Sequence, residues 1–286
     1  MIDVIIPAYR GLAETRRCLE SVLAARVRAP HEVLVVDDAS PEPDLSAWLR
    51  ESAATGRFTL LVHERNRGFV ASVNEGMRAH PDRDVVLLNS DTEVAPGWLD
   101  RIAACAAREE RAGTVTPFSN NATICSYPRF AQPNPLPEGT TTARLDAAFA
   151  RANAGQAVEI PTAVGFCMFI SRRCLDEVGP FDEEAFGRGY GEEVDFCMRA
   201  SRAGWRHWLA ADAFVFHEGE VSFGGGAQDI RNRAQAIVDE RYPEFQPRVR
   251  DFLAADPPRP FRERATQALA PFPARLAAGL RRLLGL

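Results

Sequence analysis

Val33-Leu34-Val35-Val36-Asp37-Asp38 runs four apolar residues directly into two carboxylates. A strand that is apolar at every position must be covered on both faces, as in a parallel sheet between helices. Similar β-branched runs occupy 3–7, 58–63 and 84–89, and helical spacing follows them over 12–25, 43–54, 69–79 and 96–108. This alternation predicts an α/β fold of three layers around a mainly parallel sheet, with right-handed crossovers. Ligands of such sheets sit beyond the carboxyl ends of the strands. That singles out Ala8-Tyr9, Asp37-Asp38 and Asn89-Ser90-Asp91.

Further on, a proline-rich stretch covers 128–137, followed by a short helical pattern over 143–152. An apolar run lies at 163–170, a helix is predicted over 193–203, and a strand over 213–217 leads into Gly224-Gly225-Gly226. The expected organisation is one domain over 1–226, with halves at 1–125 and 160–226, and a helical extension over 227–286. No internal repeat is visible.

With 286 residues, 46% of them hydrophobic, the chain has ample material for a core. Its net charge of −5 gives no reason to expect a nucleic-acid partner. All 34 basic residues are arginine, so no chemistry can fall to a lysine. The six cysteines form no CxxC pair, which points to reduced, buried thiols in a cytoplasmic protein. No signal peptide or transmembrane run is expected.

Asp91 follows a buried strand, where a carboxylate together with a ligand's phosphates can hold a hard divalent cation. The same position suits a helix or turn cap. Asp37 and Asp38 repel each other and need partners. Base or ribose donors would serve, as would a turn at Asp-Ala-Ser-Pro. Gly187-Arg188-Gly189-Tyr190-Gly191 leads into Glu192-Glu193-Val194-Asp195. Acids favour a helix N-terminus, and carboxylates beside flexible glycines also suit a gated general base. His217 is a candidate metal ligand. A dinucleotide fingerprint, a P-loop and a GxSxG elbow are absent.

Six motifs in order resemble the family-2 glycosyltransferases of the GT-A fold, in particular the bacterial cell-surface polysaccharide type. They begin with Val4-Ile5-Ile6-Pro7-Ala8-Tyr9, Val35-Val36-Asp37-Asp38-Ala39-Ser40, and Asn66-Arg67-Gly68-Phe69 with Asn74-Glu75-Gly76. Leu87-Leu88-Asn89-Ser90-Asp91-Thr92-Glu93, Gly179-Pro180-Phe181-Asp182 and Gly191-Glu192-Glu193-Val194-Asp195 follow, with His217 beyond them. The resemblance implies a Rossmann-like GT-A domain that binds a nucleotide-diphosphate sugar, UDP- or dTDP-linked. Pro7, Ala8 and Tyr9 would line the nucleobase pocket, and Asp38, or else Asp37, would bond the base. Arg67, Gly68, Asn89, Ser90 and Asp91 complete the implied donor site. Asn89 replaces the first acid of the family's DXD motif, so Mn2+ or Mg2+ would rest on Asp91, with His217 completing its coordination. Glu193 stands where the family places an aspartate base, and Glu192 and Asp195 remain alternatives.

The implied reaction is an inverting transfer of a hexosyl or deoxyhexosyl group to a hydroxyl on a growing surface glycan or lipid-linked glycan. The rivals are a sugar-phosphate nucleotidyltransferase and a non-catalytic glycan-binding module of the same fold. Residues 271–286 spell a basic amphipathic helix. Such a helix suits contact with the cytoplasmic face of an inner membrane, or equally packing on the domain or in a dimer.

Overall fold

The computed structural model describes residues 1–219 and 227–269. The expected glycine triplet at 224–226 and the amphipathic helix at 271–286 lie outside the described residues.

The first half is built as expected. β1 (Ile2–Ala8), β2 (His31–Asp37), β3 (Thr59–Val62) and β4 (Asp84–Leu88) are parallel and lie in the order β3-β2-β1-β4. The helices between them are α1 (Leu12–Ala24), α2 (Pro43–Ala53) and α3 (Phe69–Ala79). The chain builds outward from β1 to β3 and then crosses to the other side of β1. The crevice therefore opens where β1 and β4 end.

Alternate side chains feed two separate cores. Val4, Ile6, Val33, Val35, Val86 and Leu88 face a layer formed by α1, α2 and α4 (Trp98–Arg108). Ile5, Leu34, Val36, Val85 and Leu87 face α3 and the helices of the second half. Those helices include α6 (Arg172–Val178), α7 (Glu183–Phe186) and α8 (Glu192–Arg202); α5 (Thr142–Ala152) packs on the first face.

The second half departs from the sequence expectation in two places. β6 (Ala112–Phe118) is a fully buried strand that the residue pattern did not signal. Its register shifts at Gly113 and again after Pro117, so the two residues that disguise it sit at the irregularities that tolerate them. The strand expected over 213–217 is two elements. β9 (Arg206–Phe214) runs parallel to β6, and after Val215 the chain turns into β10 (Phe216–His217). β10 leaves the main sheet to pair antiparallel with β5 (Thr92–Glu93).

β8 (Cys167–Ile170) is inserted antiparallel between β4 and β6, and β7 (Ala157–Glu159) closes the far edge. Because β8 runs backwards, its first residue Cys167 lies opposite Leu88, the last residue of β4. Gly165 and Phe166 are thereby delivered to the crevice.

The described part of the extension wraps both faces. α9 (Ala227–Arg241) contributes Ala234 and Val238, and Tyr242 and Phe245 follow into the second core. α10 (Phe245–Ala255) and α11 (Arg259–Leu269) cover the first, where Arg264 Nε donates to Asn153 Oδ1 at 2.8 Å. All six cysteines are free and buried. Among the described residues, no helix is long and apolar enough to cross a membrane.

The closeness of α3 to β1 is testable. A Cβ on Gly76 would lie 2.6 Å from Ile5 Cγ2, in the fully buried centre of the sheet. Gly76→Val should lower the unfolding free energy by about 1–3 kcal/mol. An unchanged urea midpoint would refute this contact.

Candidate active site

Four chain segments converge beyond the carboxyl edge. Asn89, Ser90 and Asp91 follow β4, and Gly165 and Phe166 precede β8. Ser119, Asn120 and Asn121 follow β6, and His217 ends β10.

The β5–β10 ladder pairs His217 with Thr92, which brings the imidazole over Asp91. His217 Nε2 is 3.4 Å from Asp91 Oδ1, and Gly219 N–H donates to Asp91 Oδ2 at 2.9 Å. The Asp91 carboxylate therefore reaches across the crevice instead of capping the next helix. His217 is fixed from behind. Its Nδ1 is 2.7 Å from Asn121 O, its N–H donates to Asn120 Oδ1 at 2.9 Å, and its ring stacks on Phe166 at 5.2 Å. The Nδ1 contact leaves Nε2 as the nitrogen facing Asp91. Burial raises the Asp91 pKa, but the hydrogen bonds and charge of His217 and the Gly219 N–H outweigh it, leaving the carboxyl below its ordinary value. Burial lowers the imidazole pKa, but Asp91 outweighs it and leaves His217 above its ordinary value.

Gly165 and Phe166 link this pair to the acids of α8. Phe166 O accepts Asn89 N–H at 2.9 Å. A Cβ on the neighbouring Gly165 would lie 3.9 Å from the Glu193 side chain. Glu193 is partly exposed, and its Oε2 accepts Gly191 N–H at 3.2 Å. Glu192 is 5% exposed, and its Oε2 has no hydrogen-bond partner. Burial pushes both carboxyls up, and Glu192 is raised further by the charge of Glu193. Both carboxyls therefore hold a proton more readily than a free glutamate, the deeper Glu192 the more so.

The other predicted acids face elsewhere. Asp195 is fully buried and accepts from Arg199 Nε, Arg241 Nη1 and Tyr242 Oη, away from Glu193's neighbours. Asp37 makes the turn that its sequence allowed, accepting Ser40 N–H at 2.9 Å and the Ser46 hydroxyl at 2.6 Å. Asp38 accepts Arg67 N–H at 2.7 Å, Gly68 N–H at 2.8 Å and His63 Nδ1 at 2.7 Å. It thus ties the 63–68 loop to the sheet beside Ala8 and Tyr9. Gly68 has φ 90, and a Cβ there would strike Gly187 O, so only glycine fits. Pro7, Ala8 and Ser90 lie at the crevice, with Ala8 and Ser90 buried and Pro7 and Tyr9 part-exposed.

The residue pattern did not reveal the His63–Asp38 contact or the Asn120–His217 bonds. Each depends on a long-range contact that no local spacing encodes. A second group, Asp3, Glu32 and His80, has metal-like geometry but lies at the amino ends of β1 and β2. Arg83 Nη1 already occupies it, 3.0 Å from Asp3 and 2.8 Å from Glu32. It is an ion-pair cluster at the opposite end of the sheet.

The family model described as "Glycosyl transferase family 2" matches residues 3–179. The chain belongs to that family. It is 22% identical over 217 residues to "Glycosyltransferase AglE" of Haloferax volcanii, covering 76% of this chain and 66% of that protein. It is 27% identical over 245 residues to "N-acetylglucosaminyl-diphospho-decaprenol L-rhamnosyltransferase" of Mycobacterium tuberculosis, covering 78% of each. A solved structure of GalNAc-T7 with UDP, GalNAc and Mn2+ superposes with a TM-score of 0.58 at 18% identity, covering 76% of this chain and 43% of that one. The fold is GT-A, mostly parallel with C-terminal helices, as the sequence motifs implied. Neither rival reading draws support from these likenesses.

Asp38→Ala would strand the buried N–H groups of Arg67 and Gly68. We expect a loss of about 2–4 kcal/mol in unfolding free energy. Wild-type stability by urea denaturation would show that the loop does not depend on this carboxylate.

Proposed function

We propose that this protein transfers a sugar, with inversion, from a nucleotide-diphosphate donor to a hydroxyl of a surface or lipid-linked glycan. The observation that carries this reading is the Gly165-Phe166 bridge. It sets a carboxylate with a raised pKa, Glu193, beside the Asp91–His217 pair in one crevice at the strand ends. Family membership and the names of the relatives favour the same chemistry and a glycan acceptor.

The donor set fits a divalent cation. Asp91 offers a buried carboxylate, and His217 presents an oriented Nε2 at the same point. Bound there, the cation neutralises charge on the diphosphate leaving group. An imidazole ligand favours manganese over magnesium, which prefers oxygen alone. The crevice floor at Ala8, Tyr9 and the Asp38-anchored loop receives the nucleoside.

Glu193 takes the acceptor hydroxyl's proton as that oxygen bonds to the anomeric carbon and the bond to the diphosphate breaks. One displacement on the opposite face inverts the centre. Burial makes Glu193 a stronger base than a free glutamate.

Asp91→Ala should abolish Mn2+-dependent donor binding in calorimetry. Glu193→Gln should retain donor binding and lower kcat by about a hundredfold or more. Full activity in a chelator would sink the metal assignment, and wild-type turnover by Glu193→Gln would remove Glu193 as the base.

Protons and a cation compete for the same His217 Nε2, whose pKa is raised by Asp91. Mn2+ affinity should therefore fall as pH drops below that pKa, by about tenfold per pH unit for a single proton. A pH-independent affinity would exclude His217 as a ligand.

A further inference from the structure

Asp182 and Asp195 flank the glycine-rich loop and the two acids of α8. Asp182 caps α7, accepting Ala185 N–H at 3.0 Å, and Asp195 is fully buried in the first turn of α8. A single nitrogen joins them: Arg241 Nη1 is 2.9 Å from both Asp182 Oδ2 and Asp195 Oδ1. Tyr242 Oη donates to the same Asp195 oxygen at 2.7 Å, and Arg199 Nε takes the other at 2.8 Å.

The loop between the two aspartates is strained. Gly189, Tyr190 and Gly191 all have positive φ, with Tyr190 at 67. A non-glycine residue there costs on the order of 1 kcal/mol or more and persists only when its surroundings hold it. α9 supplies that hold. The Arg231 guanidinium lies 4.7 Å from the Tyr190 ring centre, Arg241 lies 5.6 Å from that of Phe186, and Ala234 packs on Gly191. The family model stops at residue 179, so α9 lies outside the matched part.

We propose that Arg241, supported by Tyr242, is a positioning residue for the base. By bridging Asp182 and Asp195 it closes the ends of the loop and sets where the N-terminus of α8 presents Glu192 and Glu193. This rests on the proposed role of those glutamates. Removing Arg241 leaves Asp195 paired with Arg199 and Tyr242, so no buried charge is left alone and the fold survives. What is lost is the tie to Asp182. Misplacing a catalytic group by about 1 Å can cost about a hundredfold in rate.

The test compares full-length wild type, Arg241→Ala, Arg241→Lys and Arg259→Ala. Arg259 is exposed and pairs with Glu263 within α11, a helix on the other face of the sheet. Amide hydrogen exchange over 187–195 is read together with kcat and the donor KM. Arg241→Ala should speed exchange there by about tenfold and lower kcat about tenfold to a hundredfold, with donor KM unchanged. Arg241→Lys should recover part of both, and Arg259→Ala should match wild type. Unchanged exchange over 187–195 overturns the proposal, as does faster exchange with an unchanged kcat. Exchange needs no substrate, so a failed bridge is distinct from an inactive wild type, which would overturn the transferase reading.

Discussion

A two-residue antiparallel ladder, Phe216 to Glu93 and His217 to Thr92, holds the candidate site together. Without it His217 would continue in the main sheet beside β6, away from Asp91. β9 ends at Phe214, and Val215 N–H makes the next bond to β6, to Phe118 O at 2.9 Å. Phe214 N–H is taken by the buried Asp146 carboxylate at 3.0 Å, and Arg101 holds Asp146 at 2.6 Å. Burial pushes Asp146 up to about 6 even with Arg101 beside it. A second tie runs from α1, where Arg17 donates to Glu218 at 2.7 Å and lies over the Phe216 ring. Elements from both halves thus converge on two residues of β10.

The second constraint is the direction of β8. In an all-parallel sheet, the segment preceding that strand would start at the amino edge, far from any ligand. Reversed, it delivers Gly165 and Phe166 to the end of β4. Gly165 has no side chain, so Glu193 can approach, and Phe166 contacts the site through its carbonyl and its ring. One dipeptide therefore couples Glu193, the proposed base, to the Asp91–His217 pair. A small shift of β8 would move both together.

Much of this was legible in the sequence. Unbroken apolar runs announced β1, β2 and β4, because strands covered on both faces need no polar alternation. The residues just past them, Asp91 above all, followed from the fold class. β6 was hidden because Gly113 and Pro117 are poor strand formers in isolation, and only the register shifts beside them make room. β9 was misplaced because Arg206 and His207 open it with polar side chains, although His207 is buried and bonded to Thr114 and Cys197. The partners of Asp38 and Asp195 were invisible for another reason. Backbone N–H groups of Arg67 and Gly68, and the side chains of Arg241 and Tyr242, reach these acids only in the folded chain.

Those partners are also what separates structural acids from chemical ones. Every acid near the crevice looked alike in sequence, yet their hydrogen bonds differ. Asp37, Asp38 and Asp195 have both oxygens engaged by donors of the protein itself. A carboxylate so satisfied has little capacity for a substrate. Glu192 has one buried oxygen without a partner, Glu193 accepts a single N–H, and Asp91 faces the His217 imidazole across the crevice. Leaving a buried polar atom unpaired costs roughly 1–3 kcal/mol. Glu192 Oε2 is left unpaired in this way beside a strained glycine loop, where a ligand's donor would complete it.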